Sequence, residues 1–117
     1  MNIGELAKNT GIQLLCPETG SSAEVGRIYA ASTMSSLIAS ASADTLLVTS
    51  LCNNQLIRIA ELMDAPGLCV ASPARPGDDL VALARQRGIT LLVSSWDMEE
   101  TRRRLETRLC GRGKVPR

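Results

Sequence analysis

Apolar positions along this chain switch between helical spacing and short unbroken runs. Ile3, Leu6 and Ala7 recur at three and four residues and Gly11 stops the pattern, so residues 3–9 read as a helix. Residues 12–16 (IQLLC) form an apolar run cut by Pro17, and residues 17–23 (PETGSSA) carry turn chemistry. Residues 24–30 alternate, with Val25, Arg27 and Tyr29 on one side and Gly26, Ile28 and Ala30 on the other, which predicts a strand. Residues 32–42 are rich in Ser and Ala, but Met34, Leu37, Ile38 and Ala41 keep a helical stripe. The small residues between them would let a neighbour's backbone approach closely.

The remainder alternates strand and helix as β–α–β–α–β–α, without a sequence repeat of about 20–50 residues. Residues 46–51 (LLVTSL) read as a strand, and Asn53 as the cap of a helix over 54–64 with Leu56, Ile59, Ala60 and Met63 on its apolar face, ended by Pro66-Gly67. Residues 68–72 (LCVAS) give a strand closed by Pro73. Residues 74–79 make a loop, and Leu80, Val81, Leu83 and Ala84 a helix that Gly88 terminates. Residues 89–95 (ITLLVSS) are the next strand, and Asp97 with Glu100 reads as a capping box for a helix from Met98 to about Cys110. Unbroken apolar strands are buried on both faces, as in a parallel sheet between helices. The prediction is a single α/β domain over residues 1–110, with a mixed, mostly parallel sheet of about five strands and an antiparallel partner among its N-terminal strands. Gly111, Gly113 and Pro116 mark residues 111–117 as a flexible basic tail.

Composition narrows the function by exclusion. The 117 residues suffice for one domain with its own core. No apolar run approaches the roughly 18 residues of a membrane span, and the N-terminal MNIGELAKNTG lacks the basic and apolar regions of a signal peptide. Histidine is absent, which removes the commonest general base and zinc ligand. Phe is absent too, with one Trp and one Tyr, so there is little on which to stack single-stranded nucleic acid. The four cysteines, Cys16, Cys52, Cys69 and Cys110, form no C-x-x-C unit and read as reduced thiols of a cytoplasmic protein. Cys52 lies near a helix start, where a thiol is more readily ionised.

The net charge of +1 hides an asymmetry. Residues 102–117 hold seven basic side chains against Glu106, a net of +6, and residues 1–101 hold 6 basic and 11 acidic ones, a net of −5. Glu99 and Glu100 precede Arg103 and Arg104 by four residues, the favourable order for pairs along a helix, so part of the positive charge is compensated locally.

No G-x-G-x-x-G, Walker loop or G-x-S-x-G occurs, and Gly20-Ser21-Ser22 is too short to cradle a phosphate alone. One pattern is positional. Three successive strands end in small polar groups: Thr49, Ser50, Cys52 and Asn53; Ser72; and Ser94 with Ser95. Open α/β sheets collect ligands at such ends, and helix starts add anion affinity. Arg75 lies just past one of them. The same residues also serve as ordinary helix caps. If a ligand site exists, the candidates are Ser32, Thr49, Ser50, Asn53, Asn54, Ser72 and Arg75. No metal and no cofactor are expected.

The order of elements resembles the DRTGG domain family over about residues 1–105. The opening helix and strand, Asn2 to Cys16, are similar to that family's N-terminus. Tyr29-Ala30-Ala31-Ser32-Thr33-Met34-Ser35-Ser36-Leu37 resembles its Y-x-G-D-L-L-S-D-V segment. Thr49 through Ala60 resembles its threonine strand end and asparagine-led helix. Pro76-Gly77-Asp78-Asp79, the helix to Gly88 and the ITLLVSS strand resemble its close. Ala31 stands where the family has glycine, and Ser32 and Ser36 where it has acids. The resemblance implies a module found alone or beside CBS domains in regulated enzymes, similar in fold to the N-terminal domain of HPr kinase/phosphorylase. It brings no catalytic residue.

Two readings of function remain open. The first is a non-catalytic regulatory or ligand-sensing domain, homodimeric, taking a small anionic metabolite or nucleotide and acting on a partner enzyme. The second is an interaction subunit of a larger enzyme assembly without a small-molecule ligand, with the basic tail docking an acidic partner. Catalysis by Cys52 or a serine lacks a suitable base, since the only lysines are Lys8 and Lys114. Nucleic-acid binding through the tail is not expected, nor is a membrane partner.

Overall fold

The chain begins with a helix because its first residues satisfy their own amides. In this computed structural model, which describes residues 2–15, 24–40, 42–72 and 74–111, Asn2 Oδ1 accepts from the Glu5 amide at 2.8 Å and the Glu5 carboxylate accepts from the Asn2 amide at 3.4 Å. That reciprocal cap opens α1 (Ile3–Thr10), and Gly11, at φ 80°, closes it by donating to the Ala7 carbonyl. The elements that follow are β1 (Gln13–Leu14), β2 (Arg27–Ala30), α2 (Met34–Ser40), β3 (Thr45–Thr49), α3 (Gln55–Leu62), β4 (Leu68–Val70), α4 (Asp78–Arg87), β5 (Leu91–Val93) and α5 (Met98–Gly111).

The five strands form one sheet in the order β1-β5-β4-β3-β2. β2 to β5 are parallel, and β1 is the antiparallel partner, with Gln13 opposite Val93. Each strand sends alternate residues to opposite faces. Leu47, Leu68, Val70 and Leu91 pack under Leu37 of α2, Leu56, Ile57, Ile59 and Ala60 of α3, and Leu80 and Ala84 of α4. Leu46, Val48, Cys69 and Leu92 pack under Ile3, Leu6 and Ala7 of α1 and Leu105 of α5. β3 is buried at every position because both its faces are covered. The Cα radius of gyration, 12.7 Å, is close to the roughly 13 Å of a single domain of this size. Gly67 is fixed by packing: a Cβ there would lie 2.7 Å from Ile3 Cδ1 and 3.0 Å from the Thr90 carbonyl. Among the described residues no helix is long and apolar enough to cross a membrane.

Several local expectations change. Strand 24–30 forms its ladder with β3 over Arg27–Ala30, with Glu24 in a separate bridge to Asn2, and Val25 packs with Ile28 rather than with Tyr29. The cause is a bulge: the Gly26 and Arg27 amides both donate to the Asp44 carbonyl, at 2.8 and 3.0 Å, which shifts the alternation by one residue. Helix 32–42 is shorter, Met34–Ser40, and of its stripe Leu37 is buried while Ile38 is 52% exposed; Ala41 lies outside the described residues. Helix 54–64 contracts to Gln55–Leu62, stopped at Asp64 (φ 56°) before Pro66 is reached. Ile57 is buried as well, while Met63 remains about one-third exposed, at 36%. The capping box at Asp97 is half formed. Asp97 Oδ1 accepts from the Glu100 amide at 2.8 Å, but the Glu100 carboxylate accepts from Arg103 and Arg104 instead. Those bonds, Arg103's foremost, hold the Glu100 carboxyl below its usual range. Glu99 pairs with Arg102 rather than with Arg103. Cys16, the turn 17–23 and residues 112–117 of the tail lie outside the described residues.

Candidate functional site

The three crossovers β2-α2-β3, β3-α3-β4 and β4-α4-β5 all step one strand in the same direction, with their helices on one face of the sheet. After β5 the chain turns to the other face, where α5 lies. The connections leaving β4 and β5 therefore part to opposite sides, and adjacent strands whose connections part leave a crevice at their carboxyl ends. A cleft of about 250 Å³ occupies that place, between Ser72, Ala74 and Arg75 after β4 and Val93, Ser94 and Ser95 at the end of β5. Because β1 runs antiparallel to β5, its start lies at the same edge and adds Gly11 and Gln13.

The walls are tied together by backbone. The Ser72 amide donates to the Trp96 carbonyl at 2.9 Å, and the Ser94 amide to the Val70 carbonyl at 2.9 Å. The Ser94 hydroxyl is spent on structure. It accepts from the Trp96 amide at 3.1 Å and lies 2.7 Å from Thr101 Oγ1, which in turn donates to the Trp96 carbonyl. The Ser72 and Ser95 hydroxyls, the Gln13 amide and the Arg75 guanidinium have no hydrogen-bond partner among the described residues and remain available. Arg75 is exposed and, among the described residues, is the one charged side chain that lines the cleft. A guanidinium with hydroxyls and an amide beside it suits a phosphate or carboxylate group. At about 250 Å³ the cleft falls just below the roughly 300–1,000 Å³ of drug-sized sites, room for one small group rather than a large ligand.

Of the seven residues expected from sequence, the fold brings Ser72 and Arg75 together at this cleft. Thr49 is buried, and its Oγ1 accepts from the Leu51 amide at 3.1 Å. Asn53 Oδ1 accepts from the Gln55 amide at 2.9 Å, one step before α3. Asn54 is exposed at the cap position and makes no side-chain cap bond. Ser50 is half-buried, and Ser32 is exposed before α2, where Thr33 Oγ1 rather than Ser32 accepts from the Ser36 amide. These five stand farther along the same sheet edge, toward β3 and β2. Gln13 and Gly11 were missed; the one signal in the sequence is that Gln13 is the lone polar residue in its apolar run.

Cys52 is an exposed free thiol whose Sγ donates to the Arg75 carbonyl at 3.0 Å, linking the loops after β3 and β4. Cys69 is fully buried, and burial pushes its thiol up to about 12, so it stays protonated. Among the described residues no three carboxylate or thiol side chains come together as a metal site would need.

No family profile and no curated protein matches the sequence. Among solved structures, the chain is similar to the CBS and DRTGG domains of the regulatory region of Clostridium perfringens pyrophosphatase, complexed with its activator, diadenosine tetraphosphate. The TM-score is 0.70 at 13% identity, over 89% of this chain and 45% of that one. The chain thus spans less than half of that structure. Identity this low speaks to the fold, which is the DRTGG-like α/β domain that the order of elements implies.

Proposed function

We propose that this DRTGG-like domain is a non-catalytic regulatory domain that senses a small anionic metabolite, with the anion held at the cleft after β4 and β5. The observation that carries the reading is Arg75, an exposed cation that shares a crevice formed by parting connections with Ser72, Ser95 and Gln13, whose side chains have no hydrogen-bond partner among the described residues. The similar pyrophosphatase region binds a nucleotide activator, which supports a sensing role and a phosphate as the anionic group. Ser32, Thr49, Ser50, Asn53 and Asn54 continue the polar edge, with Thr49 and Asn53 shaping the neighbouring loop. In this reading the chain works in the cytoplasm as a homodimer that controls a partner enzyme. The dimer forms on the side of α2, where Ile38 is 52% exposed among small residues next to the open edge of β2.

Thermal unfolding against nucleotides, phosphorylated sugars and carboxylates tests the site. A ligand at about 100 times its dissociation constant adds about 2.7 kcal/mol, several degrees in Tm for a chain of this size. A shift with one class that Arg75→Gln removes supports the reading; no shift across the panel sinks it. Light scattering tests the dimer separately, since Ile38→Asp should convert it to monomer without unfolding it. A monomer for the unaltered chain at high micromolar concentration removes the dimer from the reading.

A further inference from the structure

On the opposite side of the sheet, a groove of about 460 Å³ runs between the end of α1 and the middle turns of α5, lined by Thr10, Arg103, Arg104, Thr107 and Arg108. We propose that this groove docks an extended acidic peptide segment of a partner protein. The first ground is charge. The Glu100 carboxylate serves both Arg103 and Arg104, at 2.6 and 2.7 Å. Glu99 and Glu106 are both taken by Arg102, which is outside the groove. Arg108 has no ion-pair partner among the described residues. Three guanidinium groups thus face the groove against one carboxylate.

The second ground is preorganisation and spacing. The Arg104 guanidinium lies over the Trp96 ring, 4.0 Å from its centroid, which orders it before anything binds. Arg104 and Arg108 are one helical turn apart, about 6 Å along the axis. Alternate side chains of an extended peptide recur at about 6.6–6.8 Å on one side. Acidic residues at every second position would therefore meet the two arginines in succession.

A peptide fits better than nucleic acid. Residues 1–101 carry a net charge of −5, which repels a long polyanion but not a short segment confined to the groove. Arg104 occupies the Trp96 face on which a base would stack. The groove shares no residue with the Arg75 cleft, so this inference stands whether or not that cleft binds an anion.

Fluorescence polarisation on the full chain tests it, with a labelled peptide of Glu-Ser repeats as probe and a Lys-Ser peptide and a short oligothymidylate as comparators. The Glu-Ser peptide should bind at low salt and weaken as salt rises. Arg108→Glu, an exposed change, should weaken it on the order of tenfold or more by turning an attraction into a repulsion. Arg103→Gln should weaken it less, and Arg75→Gln should leave it unchanged. The inference is overturned if the Glu-Ser peptide does not bind at low salt. Tighter binding of the oligothymidylate, or indifference of a folded Arg108→Glu variant, also overturns it.

Discussion

The carboxyl end of β3 and the carboxyl ends of β4 and β5 are built from the same residue types and do different work. After β3, Thr49 accepts from the Leu51 amide and Asn53 from the Gln55 amide, so both polar side chains are consumed in turning the chain into α3. After β4 and β5, Ser72 and Ser95 border a cleft with Arg75, and their hydroxyls have no hydrogen-bond partner among the described residues. The difference lies in the connections. The helices flanking β3 lie on one face, so its outgoing loop packs beside that of its neighbour. The loops after β4 and β5 leave for opposite faces, so the space between them stays open. A polar strand end is thus spent on turning the chain where connections run together, and borders an open crevice where they part.

Arg75→Gln should break the contrast most sharply. With an anion that stabilises the unaltered chain by about 2.7 kcal/mol at 100 times its dissociation constant, the variant should lose nearly all of that shift. Its ligand-free Tm should barely move, because Arg75 is exposed and its side chain holds nothing else together. A variant that keeps the ligand-induced shift would transfer the binding site elsewhere on the edge.

Ser94→Ala comes next and should act in the opposite sense. It removes the hydroxyl that joins the Trp96 amide to Thr101, a buried arrangement, and should cost about 1–3 kcal/mol in denaturant unfolding. The anion should still add its shift, since that hydroxyl is committed within the protein. Loss of binding without loss of stability would show Ser94 to be a ligand contact. Asn53→Ala follows, at about 0.5–1 kcal/mol for the lost side-chain bond to the Gln55 amide, with anion affinity unchanged. It is the control that places the β3 end outside the site.

How much of this was legible follows from which interactions are local. The order of helices and strands was readable because each buried strand is a continuous apolar run and each helix carries its own stripe, cap or terminal glycine. The slip at Val25 was not, since it depends on two amides sharing the Asp44 carbonyl, 18 residues away in sequence for Gly26. Ser72 and Arg75 were readable as residues just past a strand. Gln13 was not, because it reaches the cleft through a two-residue strand paired with β5 across most of the chain. Thr49 and Asn53 were the hardest to sort. In sequence a hydroxyl or amide that caps and one that awaits a ligand look alike, and only the bonds already made distinguish them.

The smallest effect concerns the thiol that joins the two regions. Cys52, in the loop after β3, donates to the carbonyl of Arg75, in the loop after β4. A thiol is a weak donor, and this one is exposed, so Cys52→Ala should lower stability by at most about 0.5 kcal/mol, the low end for a hydrogen bond. Its consequence for binding is the more telling quantity. If the β3 end only caps its helix, the anion affinity of Cys52→Ala should match that of the unaltered chain within about twofold, a difference of about 0.4 kcal/mol. If the loop after β3 holds Arg75 in place for the anion, affinity should fall further than stability does, and Cys52→Ser, which restores a donor, should recover it. Titration of both variants with the same anion separates the two cases. A large loss in the alanine variant that serine rescues would extend the sensing surface from β4 back to β3.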